Sequence, residues 1–500
     1  MSMASAPVLT ANTLPASLHG AAFQQALCAA LLSYLPQQRW FGGKSQVIDA
    51  VRVAEVYELP QTEAVIARVE VSSAGVVDLY QLPLMLSDDA SHSIECIFTW
   101  AGRHVIDASR SAEFRAGLLG FIATGDHAGT LRAHCASAFP RALPQSSRVS
   151  SAEQSNTSIF YDDAVAVKLY RRLQAGDNPD LEVPRFLAEQ TTFRHTPAYL
   201  GEVDTADGKY VLAFAQKFAP NHGDAWKWFT ENLRACLHAT NPDMEIAAAT
   251  AAAALVGTRT AEMHRALATP TEDAAFAMED FDSAAMKALD ARLAQQKTTT
   301  LQQLRKALAD LNTDTRVNAE KLLANVNTFQ PAHRAEDLAI TGTRGKRIRV
   351  HGDYHLGQLL RTDDDFLIVD FEGEPARTLA ERRWKDTPLR DVAGMLRSFS
   401  YAAGAMRMNA GTGGEAASED KLQRWEQACT RAFSDSYFRK MESAPDLLPT
   451  PPARSSLLTN LLFEKALYEL SYELNNRPAW ADIPLRALIA LAAETGSTGA

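Results

Sequence analysis

Near residue 224 the apolar residues change their period. Upstream they alternate over short β-branched runs, "AVIARVEV", "VDLYQLPLML" and "SIECIFTW", each closed by turn residues. Downstream, from "AWKWFTENLRACL" onward, they recur every three or four positions. A period of two buries one face of a strand, and a period near 3.6 buries one stripe of a helix. The chain must therefore assemble sheet before helix, which makes it an α+β protein.

With 500 residues the chain exceeds what one hydrophobic core fills, so roughly two to four compact units are expected. Residues 1–105 read as a small β-rich domain with one amphipathic helix over 21–35. Residues 106–220 carry the short helix "SAEFRAGLLGFI", the hairpin "TSIFYDDAVAVKLYRRL" turning at its Asp-Asp pair, and the strand "KYVLAFAQKF". Residues 221–500 read as mostly helical, with a helical hairpin turning at 312–314. They are interrupted by "RVHGDYHLGQLLRTDDDFLIVDFEGEP", two short strands around loops. The alanine-rich run 246–257 is too short to span a bilayer and reads as helix.

Several function classes drop out on composition. A formal net charge of -10 leaves no basic footprint, so no nucleic-acid partner is expected. The five cysteines, Cys28, Cys96, Cys135, Cys236 and Cys429, lie far apart with no CxxC pair. That argues against a zinc site and a disulfide framework and for a reducing cytoplasm. No membrane association is expected. "GGKS" at 42–45 is not a phosphate-binding Walker loop, because the required first glycine is replaced by Gln38.

The chemistry concentrates in "VHGDYHLGQ". Asp353 follows a short apolar strand, Gln358 comes five residues later, and a second strand delivers Asp370 with Glu372 just beyond. An acid, an amide, then a strand ending in another carboxylate is the order of a kinase catalytic loop and metal loop. Phosphoryl transfer needs a carboxylate for the acceptor proton and separate oxygen ligands for magnesium on the phosphates. Asp353 suits the first task, and Gln358, Asp370 and Glu372 suit the second. A metal-hydrolase reading, with His351, Asp353 and His355 ligating from one strand face, is weaker, since Leu356 and Gly357 favour a loop. His351 reads better as a histidine that hydrogen-bonds backbone to hold the loop.

A kinase also needs a cation for the phosphates. Lys168 lies inside the apolar strand of "AVAVKLYRR", where an unpaired ammonium is costly, so a partner acid is expected, with Glu182 of "NPDLEVPRFL" chosen. A lysine that snorkels from an edge strand is the plain alternative. Upstream, Gln154, Ser155, Asn156, Thr157 and Ser158 offer small polar groups and backbone N–H groups to phosphates, without a Gly-x-Gly-x-x-Gly pattern. Gln216 and Phe218, at the end of "LAFAQKF", suit an adenine.

"RWFGGK", "EQSNTS", "VKLYRRL", "NPDLEV", "GTRTAEMHRALA", "HGDYHLGQ", "VDFEGEP", "PLRDVAGMLRSFSYAA" and "YELNNRPAW" together resemble, in order and spacing, the bacterial maltokinases. These are relatives of the aminoglycoside phosphotransferases with a eukaryotic-kinase-like fold. The resemblance implies a bilobal kinase-like fold with a β-rich N-terminal cap over 1–105, a nucleotide-binding small lobe over 106–220 and a helical C-terminal lobe over 221–500. It implies ATP and magnesium, transfer to the anomeric hydroxyl of maltose to give maltose 1-phosphate for α-glucan synthesis, and a trehalose synthase partner. By the same resemblance Asp353 is the base, Gln358 and Asp370 hold magnesium, and Lys168 contacts the phosphates. Tyr401, Tyr468, Tyr472, Glu473 and Arg477 have the planar polar and aromatic chemistry a sugar needs, and His355 is grouped with them. Tyr468 and Tyr472, four apart, equally fit a helix face packed in a core. Arg390 and Asp391 of "LRDVAGML" are expected to brace the catalytic loop through its backbone. The alternatives are a kinase with another acceptor, such as glucosamine, and a nucleotide-binding scaffold without catalysis.

Overall fold

The computed structural model describes residues 20–44, 46–89, 96–150, 155–325, 345–409 and 416–497, together with Leu14 and Leu18. Two compact units result: residues 1–185 with 197–220, and residues 186–196 with 221–500.

The first unit contains two antiparallel sheets. One has the strand order Ala50–Glu58, Val65–Ser73, Val76–Ser87, Arg103–Asp107, Cys96–Trp100, with the two-residue strand Arg172–Leu173 paired to Val76–Ser87. The helix Ala21–Tyr34 places Phe23, Leu27 and Leu31, spaced four apart, into a core with Val65, Val69, Leu82 and Val105. Burying each such side chain stabilises by about 1.5–3 kcal/mol. The second sheet runs His127–Ala128, Leu131–Cys135, Tyr199–Thr205, Val211–Lys217, Val165–Leu169, Thr157–Tyr161, Ser147–Val149. Its hairpin turns at Asp162 and Asp163, with φ of 46° and 50°. Two successive left-handed residues suit the twist of a tight hairpin, and Asp tolerates that region better than most residues.

A buried polar joint connects the two sheets. Gln81 of the first sheet is fully buried and donates through Nε2 to the Leu212 carbonyl at 2.6 Å and to that of Tyr170. Arg171, 2% exposed, pairs with Asp107 at 2.9 Å and donates to Thr157 Oγ1 at 2.8 Å and Ser109 Oγ at 2.9 Å. Its guanidinium also lies 4.9 Å from the ring of Trp40, the tryptophan of "RWFGGK". That stack adds a cation–π attraction to the ion pair.

The second unit is helical, as the change of period near residue 224 predicts. The alanine-rich run lies in the helix Asp243–Leu267, with Ala249, Ala252, Ala253 and Gly257 buried. A Cβ on Gly257 would stand 2.3 Å from the Phe433 carbonyl oxygen of the helix Ala416–Met441. Small residues therefore let two backbones approach, and a mid-helix glycine is retained at a cost of about 1 kcal/mol. Gly257→Val is expected to destabilise by about 1–3 kcal/mol through overpacking, read as a lower urea midpoint. An unchanged midpoint would mean that the helices separate freely there.

The expected turn at 312–314 is the N-cap of Thr313–Ala324, where Asn312 Oδ1 accepts from the Thr315 N–H at 2.9 Å. The ribbon Leu359–Arg361 with Phe366–Ile368 supplies the two short strands flanking the candidate loops. Among the described residues no helix is long and apolar enough to cross a membrane.

Candidate active site

In the first unit, Lys168 lies on Val165–Leu169, flanked by Thr157–Tyr161 on one side and Val211–Lys217 on the other. It is thus a lysine of an interior strand. Its ammonium meets Asp180 Oδ2 at 2.7 Å, and the Tyr170 hydroxyl donates to the same oxygen at 2.8 Å. The sequence expects Glu182 as the partner of Lys168; the structure sets Asp180, two residues earlier, against its ammonium. Both stand in the first turn of Pro179–Gln190 and both are buried. An acid there gains from the helix dipole as well as from the ion pair.

The polar residues before the hairpin divide. Gln154 lies outside the described residues, and Asn156 Nδ2 donates to Ser155 Oγ at 3.3 Å. Thr157 and Ser158 belong to the strand itself, and the Thr157 hydroxyl is used by Arg171. It therefore serves the joint between the sheets. Gln216 lies in the strand Val211–Lys217. Phe218 follows it, donates its N–H to the Ala164 carbonyl at 2.9 Å and meets the ring of Phe160 edge-on at 5.5 Å.

In the second unit, the catalytic-loop candidates hang from one buried acid. Asp391, near the start of the helix Leu389–Asn409, accepts from the backbone N–H groups of His351 at 2.8 Å and Gly352 at 2.9 Å. His264 Nε2 lies 3.0 Å from the same carboxylate, and His264 Nδ1 lies 2.9 Å from the Tyr437 hydroxyl. Burial pushes the Asp391 carboxyl up, but His264, His351 and the loop N–H groups outweigh it and hold it below the usual range. Close behind, a Cβ on Gly394 would meet the Tyr354 carbonyl oxygen at 2.5 Å, so only glycine lets this helix sit against the loop.

Both histidines of the loop bond backbone groups, one within the loop and one beyond it. His351 Nε2 donates to the Val369 carbonyl at 3.0 Å, and His355 Nδ1 accepts from the Gly357 N–H at 3.0 Å, capping the turn Leu356–Gln358. Burial lowers the His355 pKa, and because Nδ1 accepts from Gly357, the neutral ring carries its proton on Nε2. These uses leave the metal-hydrolase arrangement without support.

Gln358 Nε2 donates to Asp370 Oδ2 at 2.9 Å, joining the end of the loop to the end of Phe366–Ile368. Asp370 has φ of 65°, a left-handed conformation costing a non-glycine residue about 1–3 kcal/mol. Such strain persists only where the surroundings fix it, and here it aims a carboxylate. Carboxylate oxygens of Asp370 and Glu372 come within 4.8 Å of one another. Two carboxylates beside an amide form an oxygen-rich donor set that fits magnesium.

Asp353 itself has a partner that the sequence did not suggest. Lys465, on the helix Pro451–Asn476, places Nζ 3.1 Å from Asp353 Oδ1 and 3.9 Å from Glu374 Oε1. Burial pushes the Asp353 carboxyl up, yet the Lys465 ammonium, helped by His355, holds it below the ordinary value. One face of the same helix carries Lys465, Tyr468, Glu469, Tyr472 and Glu473. Tyr401 donates to Glu473, Arg477 pairs with Glu473 at 2.6 Å, and Trp480 stacks on Tyr401 at 6.1 Å. Trp226 approaches Tyr401 at 6.2 Å. Tyr401, Glu473 and Arg477 are thus brought together, while Tyr472 is exposed beneath the Arg477 guanidinium. Arg390 pairs with Asp386 at 2.7 Å and with Glu464 of the helix Pro451–Asn476 at 3.0 Å, while the backbone N–H bonds to the loop described above are made by Asp391.

Residues 34–110 match the family model described as the maltokinase N-terminal cap domain. Over 340 residues the chain is 27% identical to a glucosamine kinase of Streptacidiphilus jiangxiensis, covering 66% of this chain and 70% of that protein. A glucosamine kinase of Mycolicibacterium smegmatis (strain ATCC 700084 / mc(2)155) is 28% identical over 356 residues, covering 69% and 79%. The structure of a glucosamine kinase in complex with glucosamine, ADP and inorganic phosphate superposes with a TM-score of 0.64 at 22% identity, covering 93% of this chain and 98% of that one. A second crystal form of a glucosamine kinase gives a TM-score of 0.66 at 22% identity, covering 91% and 97%. The α+β kinase-like architecture is shared with these proteins.

Proposed function

We propose that this chain, a small-molecule kinase of the aminoglycoside phosphotransferase superfamily, transfers the γ-phosphoryl group of ATP to the anomeric hydroxyl of maltose, giving maltose 1-phosphate and ADP. The observation that carries the transfer is the loop held by Asp391, which presents an ionised Asp353 and ends at the Gln358–Asp370 pair. Asp353 takes the proton of the acceptor hydroxyl as the O–P bond forms, and the leaving ADP carries away the β–γ bridging oxygen. Lys168, fixed by Asp180, contacts the phosphates, and the residues around Ser155 and Asn156 add polar groups to them. Gln216 and Phe218 take the adenine. Asp370, Glu372 and Gln358 would hold magnesium, which neutralises charge on the phosphate oxygens. Removing divalent metal with EDTA is expected to abolish turnover, with recovery on adding Mg2+; full activity in EDTA would remove Asp370 from this role.

Two observations support maltose as the acceptor. The match to a maltokinase cap domain is one. The other is charge: each acid of the proposed acceptor wall already has an internal cation. Asp353 has Lys465, Glu374 has Arg377 at 2.5 Å, Glu469 has Arg397 at 2.6 Å, and Glu473 has Arg477. A neutral sugar can use the remaining lone pairs, whereas among these described acids an aminosugar ammonium meets none that lacks a cation already. The names of the curated relatives favour the second reading, an aminosugar acceptor. A trehalose synthase partner and a role in α-glucan synthesis belong to the same proposal and rest on the family resemblance alone. Incubation with ATP, Mg2+ and a panel of maltose, glucose and glucosamine, with products identified by NMR, tests the reading. Maltose 1-phosphate supports it, a phosphorylated aminosugar replaces it with the second reading, and no phosphorylated sugar leaves a nucleotide-binding scaffold.

A further inference from the structure

We infer that Lys465 is a positioning residue of the transfer: it holds one carboxylate oxygen of Asp353, so that the other alone faces the acceptor hydroxyl, and occupies the place a cationic acceptor would need. This inference rests on the proposed role of Asp353.

The geometry is specific. Lys465 Nζ stands 3.1 Å from Asp353 Oδ1, while Oδ2 faces His355 Nε2 at the longer distance of 4.0 Å. A carboxylate with one oxygen engaged cannot rotate freely about its Cβ–Cγ bond, so its second oxygen keeps a fixed direction. The ammonium is itself held, 3.9 Å from Glu374 Oε1 and 4.8 Å from the ring of Tyr468, one helical turn along. A small cavity, lined by Gly352, Tyr354, Glu374, Arg390 and Leu461, lies beside it.

The charged and titratable groups around the pair are few. From the loop come Asp353, His351 and His355; from the segment after Phe366–Ile368 comes Glu374, with Arg377 upon it; and from the lysine's own helix come Tyr468 and Glu469, the latter paired with Arg397. Among these groups the Lys465 ammonium does most to lower the Asp353 carboxyl, with His355 adding to it. Burial disfavours the ammonium, but Asp353, Glu374 and Glu469 together keep it protonated. A buried lysine that merely packed would not require three acids around it.

Lys465→Met keeps the length of the stem and removes the charge, and Lys465→Arg keeps the charge. With the acceptor identified by the sugar panel, Lys465→Met is expected to lower kcat about tenfold or more while the KM for ATP stays unchanged. Without the ammonium the Asp353 carboxyl titrates higher, so the acid limb of the kcat/KM profile moves toward higher pH, and Lys465→Arg restores it. The ratio of aminosugar to neutral-sugar turnover should rise in Lys465→Met. In an Asp353→Asn background, adding Lys465→Met should cost nothing further, because the lysine acts through that carboxylate. An unmoved acid limb, or an undiminished effect of Lys465→Met in the Asp353→Asn background, overturns the inference while leaving Asp353 as the base. An Asp353→Asn variant with full turnover removes both. Thermal melts of each variant separate loss of fold, which would move kcat without moving the pH limb.

Discussion

Replacing Asp353 by asparagine is expected to lower kcat by about 10²- to 10⁴-fold while the Kd for ATP is unchanged. The amide has the shape of the carboxylate, so the loop keeps its position: its backbone N–H groups are tied to Asp391 and the His351 ring to Val369, and neither contact involves the Asp353 side chain. What disappears is the only acidic oxygen in the "HGDYHLGQ" loop able to take the acceptor proton. Lys465 loses its nearest anion but retains Glu374 at 3.9 Å, so the loss of stability is smaller than that of an ammonium left alone. Single-turnover kinetics and ATP titration, compared with the unaltered chain, read the two quantities separately. Undiminished turnover would remove Asp353 as the base, and a parallel loss of ATP binding would mean that the loop itself had moved.

Asp391→Ala is expected to cost about 3–5 kcal/mol of stability, because one fully buried carboxylate serves two backbone N–H groups and His264. Removing it strands three polar groups away from water and releases the loop, so kcat should fall with stability. The pH dependence follows from the depressed carboxyl. A group with a folded pKa below its unfolded value of about 3.9 contributes stability that is fully present above that value and is lost as pH falls through the folded one. The variant lacks that contribution, so its stability should decline less steeply below about pH 4 than that of the unaltered chain. Urea unfolding between pH 3 and pH 7 measures both effects. A variant with the original midpoint and the original acid slope would show that other contacts hold the loop.

Periodicity made the architecture legible: alternating runs became sheets, and the three-to-four spacing became helices with their turn at Asn312. The candidate loop stood out for a related reason, since an acid, an amide and a strand-borne acid sit close in sequence, and the structure joins Gln358 to Asp370. Partners remote in sequence were not. Asp180 and Glu182 share a helical turn about 200° apart, and which of them meets Lys168 depends on how the helix rolls against the strand. His264 and Lys465 lie 127 and 112 residues from the carboxylates they touch. Lys465 stands between Glu464 and Glu469 in "LLFEKALYEL", and a lysine among acids on a helix also fits an ordinary solvated or snorkelling residue, so nothing there singled it out. Thr157 shows the reverse: its hydroxyl suited phosphate chemistry by composition, yet it is already committed to the buried Arg171.

The Trp40–Arg171 stack and the Arg171–Asp107 pair reach across what reads in sequence as a boundary between a cap and a nucleotide lobe. Because Arg171 is three residues from Lys168, Trp40 packs against the chain where it leaves the strand that carries the lysine proposed to contact the phosphates. A truncation that removed the first sheet would uncover an arginine charge with no acid beside it, and Gln81 would no longer bind the Leu212 carbonyl. The cap is therefore better viewed as a keystone than as an appendage: a chimera that exchanges it between relatives must carry Trp40, Gln81, Asp107 and Arg171 as one inheritance.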